Sequence, residues 1–295
     1  MPARAADAYS RKVVGRLADH PSSAPAGAPA SVGIFDSGVG GLSVVAAIHR
    51  LRPGLPLRYV ADTAAFPYGE RPPEEIAARS LAIGERLVGA GARLLVVACN
   101  TASSAALEAL RERFGVPVVG MEPPLKPAVE RSRSGRVALL VTPATAEGAR
   151  LARLHESYAG ESRVLTIPMP GLADLVEGGE IAGPRVEALL GDALAGLPSE
   201  GVDEVALGCT HYGFVRPALR ALLGEGVELI DTAEPVARRV LQQLDAHAIA
   251  IADTPDTTVS CAVSGDPAAF EAAVARLRAS GVALPPLRVS AEVAA

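Results

Sequence analysis

Apolar runs that end in small and polar residues recur along this chain of 295 residues. The run at residues 94–98 ends in Cys99, and two short polar residues precede a segment with apolar positions at helical spacing. A continuous apolar run is typical of a buried parallel strand, whereas a period of about 3.6 residues indicates an amphipathic helix. The same order recurs where residues 205–207 lead into Gly208, Cys209 and Thr210. Both patterns therefore predict a strand that passes directly into a helix.

Strand and helix patterns alternate through most of the chain. The predicted strands cover residues 32–35, 57–60, 94–98, 116–120, 137–141, 164–167, 205–207 and 259–263. Apart from the helices after the two cysteines, helices are predicted over residues 42–51, 72–89, 146–158, 172–177, 184–195 and 266–279. Such alternation is typical of parallel sheets with helices on both faces. We therefore predict an α/β fold with doubly wound parallel sheets.

The two cysteine units continue in a similar order, which favours an internal duplication. A Gly-Val pair, a short strand and a Glu-Pro pair follow each unit, at residues 115–123 and 226–235. We expect two similar domains that face each other across a cleft and are related by pseudo-symmetry. The first comprises residues 32–123 and 236–295 with Cys99, and the second comprises residues 124–235 with Cys209. Residues 1–31, rich in Pro, Ala and Ser towards their end, are expected to form a flexible N-terminal tail.

Composition and charge narrow the function classes. The net charge is −5 and no basic cluster is present, so we expect no nucleic-acid partner. No apolar run approaches the roughly 20 residues of a membrane span, so we expect no membrane partner. The three cysteines form no CxxC pair, which argues against a disulfide framework and favours a cytoplasmic location.

A glycine-rich turn, DSGVGG, follows the first predicted strand at residues 36–41. It lacks the Lys-Ser/Thr ending of a phosphate loop and the full spacing of a dinucleotide fingerprint, so a nucleotide site is disfavoured. Asp36 lies at the strand end, where α/β folds bind their ligands. An equally good local interpretation is that Asp36 caps the helix that follows.

Two thiols at the strand ends of facing domains would flank one bound molecule. An isolated free cysteine usually packs as a small apolar residue, and Cys261 fits that description. Cys99 and Cys209, in contrast, each precede a helix start, which favours a thiolate. Acid/base groups on opposite faces of one carbon can remove a proton and return it with inverted stereochemistry. The paired cysteines thus indicate a stereochemical inversion.

Thiols alone do not make this reaction feasible. If an amino-acid α-proton is on the order of ten pK units less acidic than a thiol, the carbanion lies about 14 kcal/mol uphill. A turnover of ~10 per second allows a total barrier of only about 16 kcal/mol. The site must therefore stabilise the substrate, and Asn100, Thr101 and Thr210 are placed to donate hydrogen bonds. Asp36 and His211 are candidate proton partners of the thiols, although His211 could also be only a hydrogen-bonded helix-start residue.

The chain resembles the glutamate racemases in a series of motifs that keep their order. These motifs are IFDSGVGGLSV from Ile34, DTAAFPYGE from Asp62, VACNTAS from Val97, GMEP from Gly120, TPAT from Thr142, LVEGG from Leu175, LGCTHY from Leu207, IDTAEPVA from Ile230 and SGDPAAF from Ser264. Residues 213–214 are Gly-Phe where Pro-Leu is more usual, which leaves the polar residues in place.

The resemblance implies a cofactor-independent racemase, with no metal, that converts L-glutamate to D-glutamate for peptidoglycan synthesis. It implies that Cys209 removes the α-proton of L-glutamate and that Cys99, assisted by Asp36, returns one to the opposite face. His211, held by Glu177, would assist Cys209. Substrate contacts would come from Asp36, Ser37, Pro67, Tyr68, Gly69, Asn100, Thr101, Thr142, Thr145, Thr210 and His211. A homodimer is expected.

Other functions remain open from the sequence alone. A racemase for aspartate or another amino acid would share the two cysteines and differ in the pocket beyond them. A cysteine hydrolase would use Cys209 with His211 and leave Cys99 without a role. A binding protein with two lobes would need neither thiol. A zinc site at Cys99, Cys209 and His211 lacks a clear fourth ligand and the usual spacing.

Overall fold

The computed structural model describes residues 27–291, so the predicted N-terminal tail lies outside the described residues up to residue 26. The strands are β1 Ser31–Asp36, β2 Leu57–Ala61, β3 Ala92–Val97, β4 Val118–Val119, β5 Arg136–Val141, β6 Arg163–Pro168, β7 Glu204–Leu207, β8 Glu228–Ile230, β9 Val259–Val263 and β10 Leu287–Ala291. The helices are α1 Leu42–Leu51, α2 Pro73–Gly89, α3 Asn100–Arg113, α4 Leu125–Arg131, α5 Pro143–Glu147, α6 Ala149–Tyr158, α7 Leu172–Glu177, α8 Pro184–Leu194, α9 Arg216–Leu223, α10 Ala233–Ala246 and α11 Pro267–Ala279. Short 3-10 turns lie at Thr63–Ala65, Tyr68–Glu70 and Thr210–Val215.

These strands form two separate parallel sheets. The first has six strands in the order β10-β9-β2-β1-β3-β4, and the second has four in the order β6-β5-β7-β8. Every strand pair in both sheets is parallel. The α/β fold with two parallel sheets is therefore confirmed. The first sheet uses strands within residues 31–119 and 259–291 and the second uses strands within residues 136–230, whereas the predicted domain division stays a prediction.

The strand order places the candidate chemistry at the centre of each sheet. In the first sheet β2 and β3 lie on opposite sides of β1, and in the second β6 and β7 lie on opposite sides of β5. Chain connections diverge at such a point, and the carboxyl ends of the strands there border a crevice. Asp36 ends β1, Cys99 follows β3 and Cys209 follows β7. Both sheets thus direct these residues into their crevices.

Several element boundaries differ from the sequence-based expectations. The helix expected over residues 146–158 begins only at Ala149, because Gly148 has an extended backbone between α5 and α6. Strand β4 is limited to two residues that follow Pro117, which has no N–H to donate to a ladder. A 3-10 turn separates Cys209 from α9, where the pattern predicted a helix directly. Strand β10 and helix α4 were not predicted.

One apolar core joins the two sheets. It includes Val32 and Leu94 of the first sheet, Leu140 and Val205 of the second, and buried residues of α1 between them. Two smaller cores cover the other faces of the sheets. Cys261 is buried in the shared core, as its apolar surroundings predicted. This packing holds the ends of β1 and β7 against each other.

Candidate functional site

A direct hydrogen bond joins the two halves of the site. Thr210, which follows Cys209, donates from Oγ1 to Oδ2 of Asp36 over 3.1 Å. Asp36 also accepts from the backbone N–H of Ser37 at 2.6 Å, and the neighbouring Cys99 thiol acts to lower the pKa of its carboxyl group. The alternative that Asp36 caps α1 is wrong, because Gly41 occupies that position. Asp36 therefore connects the surroundings of both cysteines.

Cys209 has its own chain of polar partners. Its Sγ lies 3.7 Å from Nδ1 of His211, and Nε2 at the opposite end of that ring lies 2.9 Å from Oε2 of Glu177. The same carboxylate oxygen accepts from the backbone N–H of Val39 at 2.8 Å. The ring of His211 therefore lies between the sulfur atom of Cys209 and the carboxylate of Glu177.

The glycine turn makes room for these partners. A Cβ atom on Gly38 would lie 2.0 Å from Glu177, and one on Gly40 would lie 2.4 Å from His211. Side chains do not approach so closely, so the turn accepts Glu177 and His211 only because it carries glycine. The turn serves contact between the halves, which explains a glycine pattern that fitted no nucleotide loop.

The electrostatic environments of the two cysteines differ. Burial, reinforced by the carboxylate of Asp36, raises the pKa of the Cys99 thiol well above its usual value. Burial also raises the pKa of Asp36, despite the opposing effects of His211 and of the Ser37 hydrogen bond. Burial alone would lower the pKa of His211, but its hydrogen bonds to Cys209 and Glu177 outweigh that effect and raise the pKa well above normal. Cys99 is thus held as a thiol, while Cys209 faces a protonated imidazole.

The Asn100 amide has no hydrogen-bond partner among the described residues, although the residue is only 5 % exposed. Because an unpaired buried amide is costly, such a group is expected to bind a ligand. Thr142, which follows β5, and Thr145 of α5 form a hydroxyl pair at 2.9 Å. Gly69 lies beside Thr142 across the cleft, since a Cβ built on Gly69 would contact it at 3.7 Å. Pro67 precedes the turn at Tyr68–Glu70, and Thr101 lies in the first turn of α3.

Three contributors to the site were not predicted. The backbone N–H of Val39 holds Glu177, and the ring of Phe66 lies 5.6 Å from that of His211. Asp62 accepts a hydrogen bond from the hydroxyl of Tyr68 at 2.6 Å. The motif DTAAFPYGE contains both Phe66 and Asp62. The partner of Phe66, His211, is distant in sequence, and the contact of Asp62 with Tyr68 depends on the conformation of the loop between them.

Between residues 27 and 291, no three side chains of His, Cys, Asp or Glu lie together in a metal-binding arrangement. In the same part of the chain, every helix is too short or too polar to cross a bilayer.

Comparisons with known proteins converge on one family. The Asp/Glu/Hydantoin racemase family model matches residues 41–240. A glutamate racemase of Ectopseudomonas mendocina is 45 % identical over 238 residues, which cover 80 % of this chain and 90 % of that protein. The glutamate racemase of Escherichia coli, solved in complex with L-glutamate and the activator UDP-MurNAc-ala, aligns with a TM-score of 0.76 and 32 % identity over 89 % of this chain and 99 % of that one. The enzyme of Thermus thermophilus, solved with beta-chloro-D-alanine, gives a TM-score of 0.71 and 35 % identity over 89 % and 97 % of the two chains.

Proposed function

Since this chain belongs to the Asp/Glu/Hydantoin racemase family and is an amino-acid racemase of the glutamate racemase type, we propose that it inverts glutamate by proton transfer between Cys99 and Cys209. The observation that carries this mechanism is that each cysteine has its own acid/base partner. Asp36 accompanies Cys99, and His211 accompanies Cys209. The hydrogen bond between Thr210 and Asp36 brings the two pairs to one place.

The protonation states favour one starting form. Cys99 begins as a thiol, because its raised pKa keeps the proton on sulfur at neutral pH. Cys209 begins as the base, since His211 can hold a proton beside its sulfur. In the L-to-D direction Cys209 takes the α-proton as the C–H bond breaks, and Cys99 gives its proton to the opposite face of the carbanion. The reverse reaction begins with the sulfurs in the opposite protonation states.

The carbanion needs stabilisation by groups that are in place before the reaction. Asn100 offers an unpaired amide as a donor, and the hydroxyl oxygens of Ser37 and Thr210, whose protons go to Asp36, can accept from the substrate ammonium group. Thr142 and Thr145 offer a second set from the other sheet. Fixed donors aimed at the substrate carboxylate lower the barrier without the cost of reorienting water. We therefore assign the carboxylate and ammonium groups of glutamate to these side chains and to the segment 67–69.

The proposed chemistry uses only side chains of the chain, so it requires no cofactor. The product would supply D-glutamate for peptidoglycan in the cytoplasm, a role tested by rescue of a bacterial strain that depends on added D-glutamate. A homodimer remains a prediction, and light scattering of the full chain tests it.

Replacing each cysteine by serine tests the two-base mechanism. We expect Cys99→Ser and Cys209→Ser each to reduce the turnover number by ~10³-fold or more, because a hydroxyl is a far weaker acid and base than a thiol. Cys261→Ser is the matched control and retains activity, since Cys261 lies in the core away from the site. Circular dichroism of L-glutamate, with L-aspartate in parallel, measures inversion. Full inversion by Cys99→Ser would overturn the two-base mechanism, absence of inversion by the wild type would leave a hydrolase-type use of Cys209 open, and preference for aspartate would reassign the substrate.

A further inference from the structure

Asp62 lies at the end of β2 and is the centre of a buried hydrogen-bond cluster. Its carboxylate accepts from Nε and Nη2 of Arg79 at 2.7 and 2.8 Å. It also accepts from the hydroxyl of Tyr68 and from Oγ of Ser264, each at 2.6 Å. The side chain of Asp62 is only 2 % exposed. One carboxylate therefore ties together α2, the turn at Tyr68–Glu70 and the end of β9.

This cluster adjoins the Cys99 half of the site. The backbone N–H of Asp62 donates to the carbonyl of Asp36 at 2.9 Å. The buried ring of Tyr68 belongs to the same apolar cluster as Cys99. The next residue, Gly69, faces Thr142 across the cleft. A shift of Tyr68 would therefore disturb both the apolar packing around Cys99 and the position of Gly69 at the cleft.

The Tyr68 hydroxyl already has a partner, which limits its role. Because it donates its proton to Asp62, it does not donate one to the substrate. Burial would raise the pKa of Asp62, but the hydrogen bonds from Arg79, Ser264 and Tyr68 outweigh this and lower it, so the group is a carboxylate. A carboxylate with a fixed guanidinium partner is a rigid acceptor. The cluster is thus suited to hold a loop in place rather than to carry protons.

We propose that Asp62 is a positioning residue for the Cys99 half-reaction: through Tyr68 it fixes the segment 68–69 against Cys99, with Ser264 and Arg79 holding Asp62 itself. This inference rests on the proposed two-cysteine mechanism. It gives a role to the motifs DTAAFPYGE and SGDPAAF, whose Asp62 and Ser264 meet here although they are far apart in sequence.

Isotope effects measured in both directions test this proposal. Cys99 removes the α-proton of D-glutamate, whereas Cys209 removes that of L-glutamate. If the Cys99 step alone is slowed, the primary deuterium effect on kcat/KM rises with D-[2-²H]glutamate and falls towards unity with L-[2-²H]glutamate. The enantiomers have equal free energy in water, so kcat/KM itself must fall equally in both directions. A global loss of structure changes activity without separating the two isotope effects.

We expect Asp62→Asn to lower kcat/KM about tenfold and to shift the isotope effects in those opposite directions. Tyr68→Phe removes only the hydroxyl, so it tests the same contact if Asp62→Asn does not fold, and about a threefold loss with the same shifts is expected. The matched control is Asp253→Asn, which breaks an Asp–Arg pair with Arg52 outside this cluster and leaves both isotope effects unchanged. Glu177→Gln, which loosens His211 on the Cys209 side, should give the opposite shifts.

Failure of the positioning role of Asp62 can be distinguished from failure of the two-cysteine mechanism. Inversion by Cys99→Ser at the wild-type rate would remove the mechanism itself. If that variant is inactive but Tyr68→Phe and Asp62→Asn leave both isotope effects at the wild-type values, or shift them in the same direction, the role of Asp62 is overturned. Opposite shifts in Asp62→Asn or Tyr68→Phe, absent from Asp253→Asn, support it.

Discussion

Asp36 keeps a carboxyl group fully buried between the two cysteine units, and this has a thermodynamic cost. Its pKa is raised, mainly by burial, so the folded state holds this proton to a higher pH than the unfolded chain does. The stability linked to Asp36 is therefore greatest at low pH and falls as the pH rises from about 4 through the folded-state pKa.

Asp36→Asn should separate stability from activity, because the amide cannot ionise. We expect its melting temperature at neutral pH to equal or exceed that of the wild type, and this advantage to disappear near pH ~4. Racemisation should fall by ~10²-fold or more, since Cys99 loses its acid/base partner. Calorimetry across this pH range and a racemisation assay measure the two effects. A variant that is less stable at neutral pH and recovers in alkali would contradict this account.

Protonation makes His211 positively charged, whereas it makes Asp36 neutral. The contribution of His211 to stability depends on pH through the same linkage between pKa and folding. Its raised pKa means that the contribution is present in full below the unfolded value of about 6.5 and is lost as the pH rises through the folded-state pKa. Glu177→Gln removes the carboxylate that stabilises the imidazolium. We expect a loss of about 1–3 kcal/mol in unfolding free energy at low pH. Denaturant titrations of both proteins should show this difference shrinking as the pH rises; a difference independent of pH would show that the charge of Glu177 does not act on His211.

The glycine turn after β1 packs directly against the 3-10 turn after β7. A methyl group on Gly40 would lie 2.4 Å from His211 and 2.5 Å from Thr210. Gly40→Ala should therefore displace His211 from Cys209, cost about 1–3 kcal/mol in stability and reduce activity by more than the stability loss explains. Gly213→Ala is the matched control, since a Cβ there meets no atom within 4 Å. Thermal unfolding and turnover measurements compare the stability and the activity of the two variants. If Gly40→Ala is as active as Gly213→Ala, the turn does not position His211.

The local pattern of apolar and polar residues predicted the strands and helices that carry the candidate site. It did not predict the contacts between these elements. Apolar runs ending in Cys99 and Cys209 predicted two strand ends, and the strand order then placed them at the crevices. Helix α6 was predicted too long, because an extended Gly148 interrupts a pattern that sequence periodicity reads as continuous. The partnership of Asp62 with Ser264 spans two strands joined only by the folded sheet, so no local pattern could indicate it.

On the scale of the whole molecule, the described structure is a closed form. Asp36, His211 and Cys99 are 0 %, 2 % and 6 % exposed, so we expect the two halves to move apart when glutamate enters. Arg150 of α6 links the halves, because it donates to the carbonyl of Ser103 on α3 at 3.1 Å and to the carboxylate of Glu122. Ser103 is four residues beyond Cys99 on the same helix, and its hydroxyl accepts from the backbone N–H of Met121. Arg150 therefore holds α3, the helix that Cys99 caps, against α6.

Loss of this contact should favour the open form. Half of the Glu122 side chain is exposed, so the link is worth only about 1 kcal/mol, which corresponds to about a fivefold population shift. We expect Arg150→Met to raise KM by at most about fivefold, with a smaller change in kcat because the catalytic side chains are untouched. Arg153→Met, an exposed position on the same helix, should leave KM unchanged. Small-angle scattering should show a larger radius of gyration for Arg150→Met without glutamate and the wild-type value at saturation. An unchanged KM together with an unchanged radius would mean that the shared apolar core, and not Arg150, keeps the halves closed.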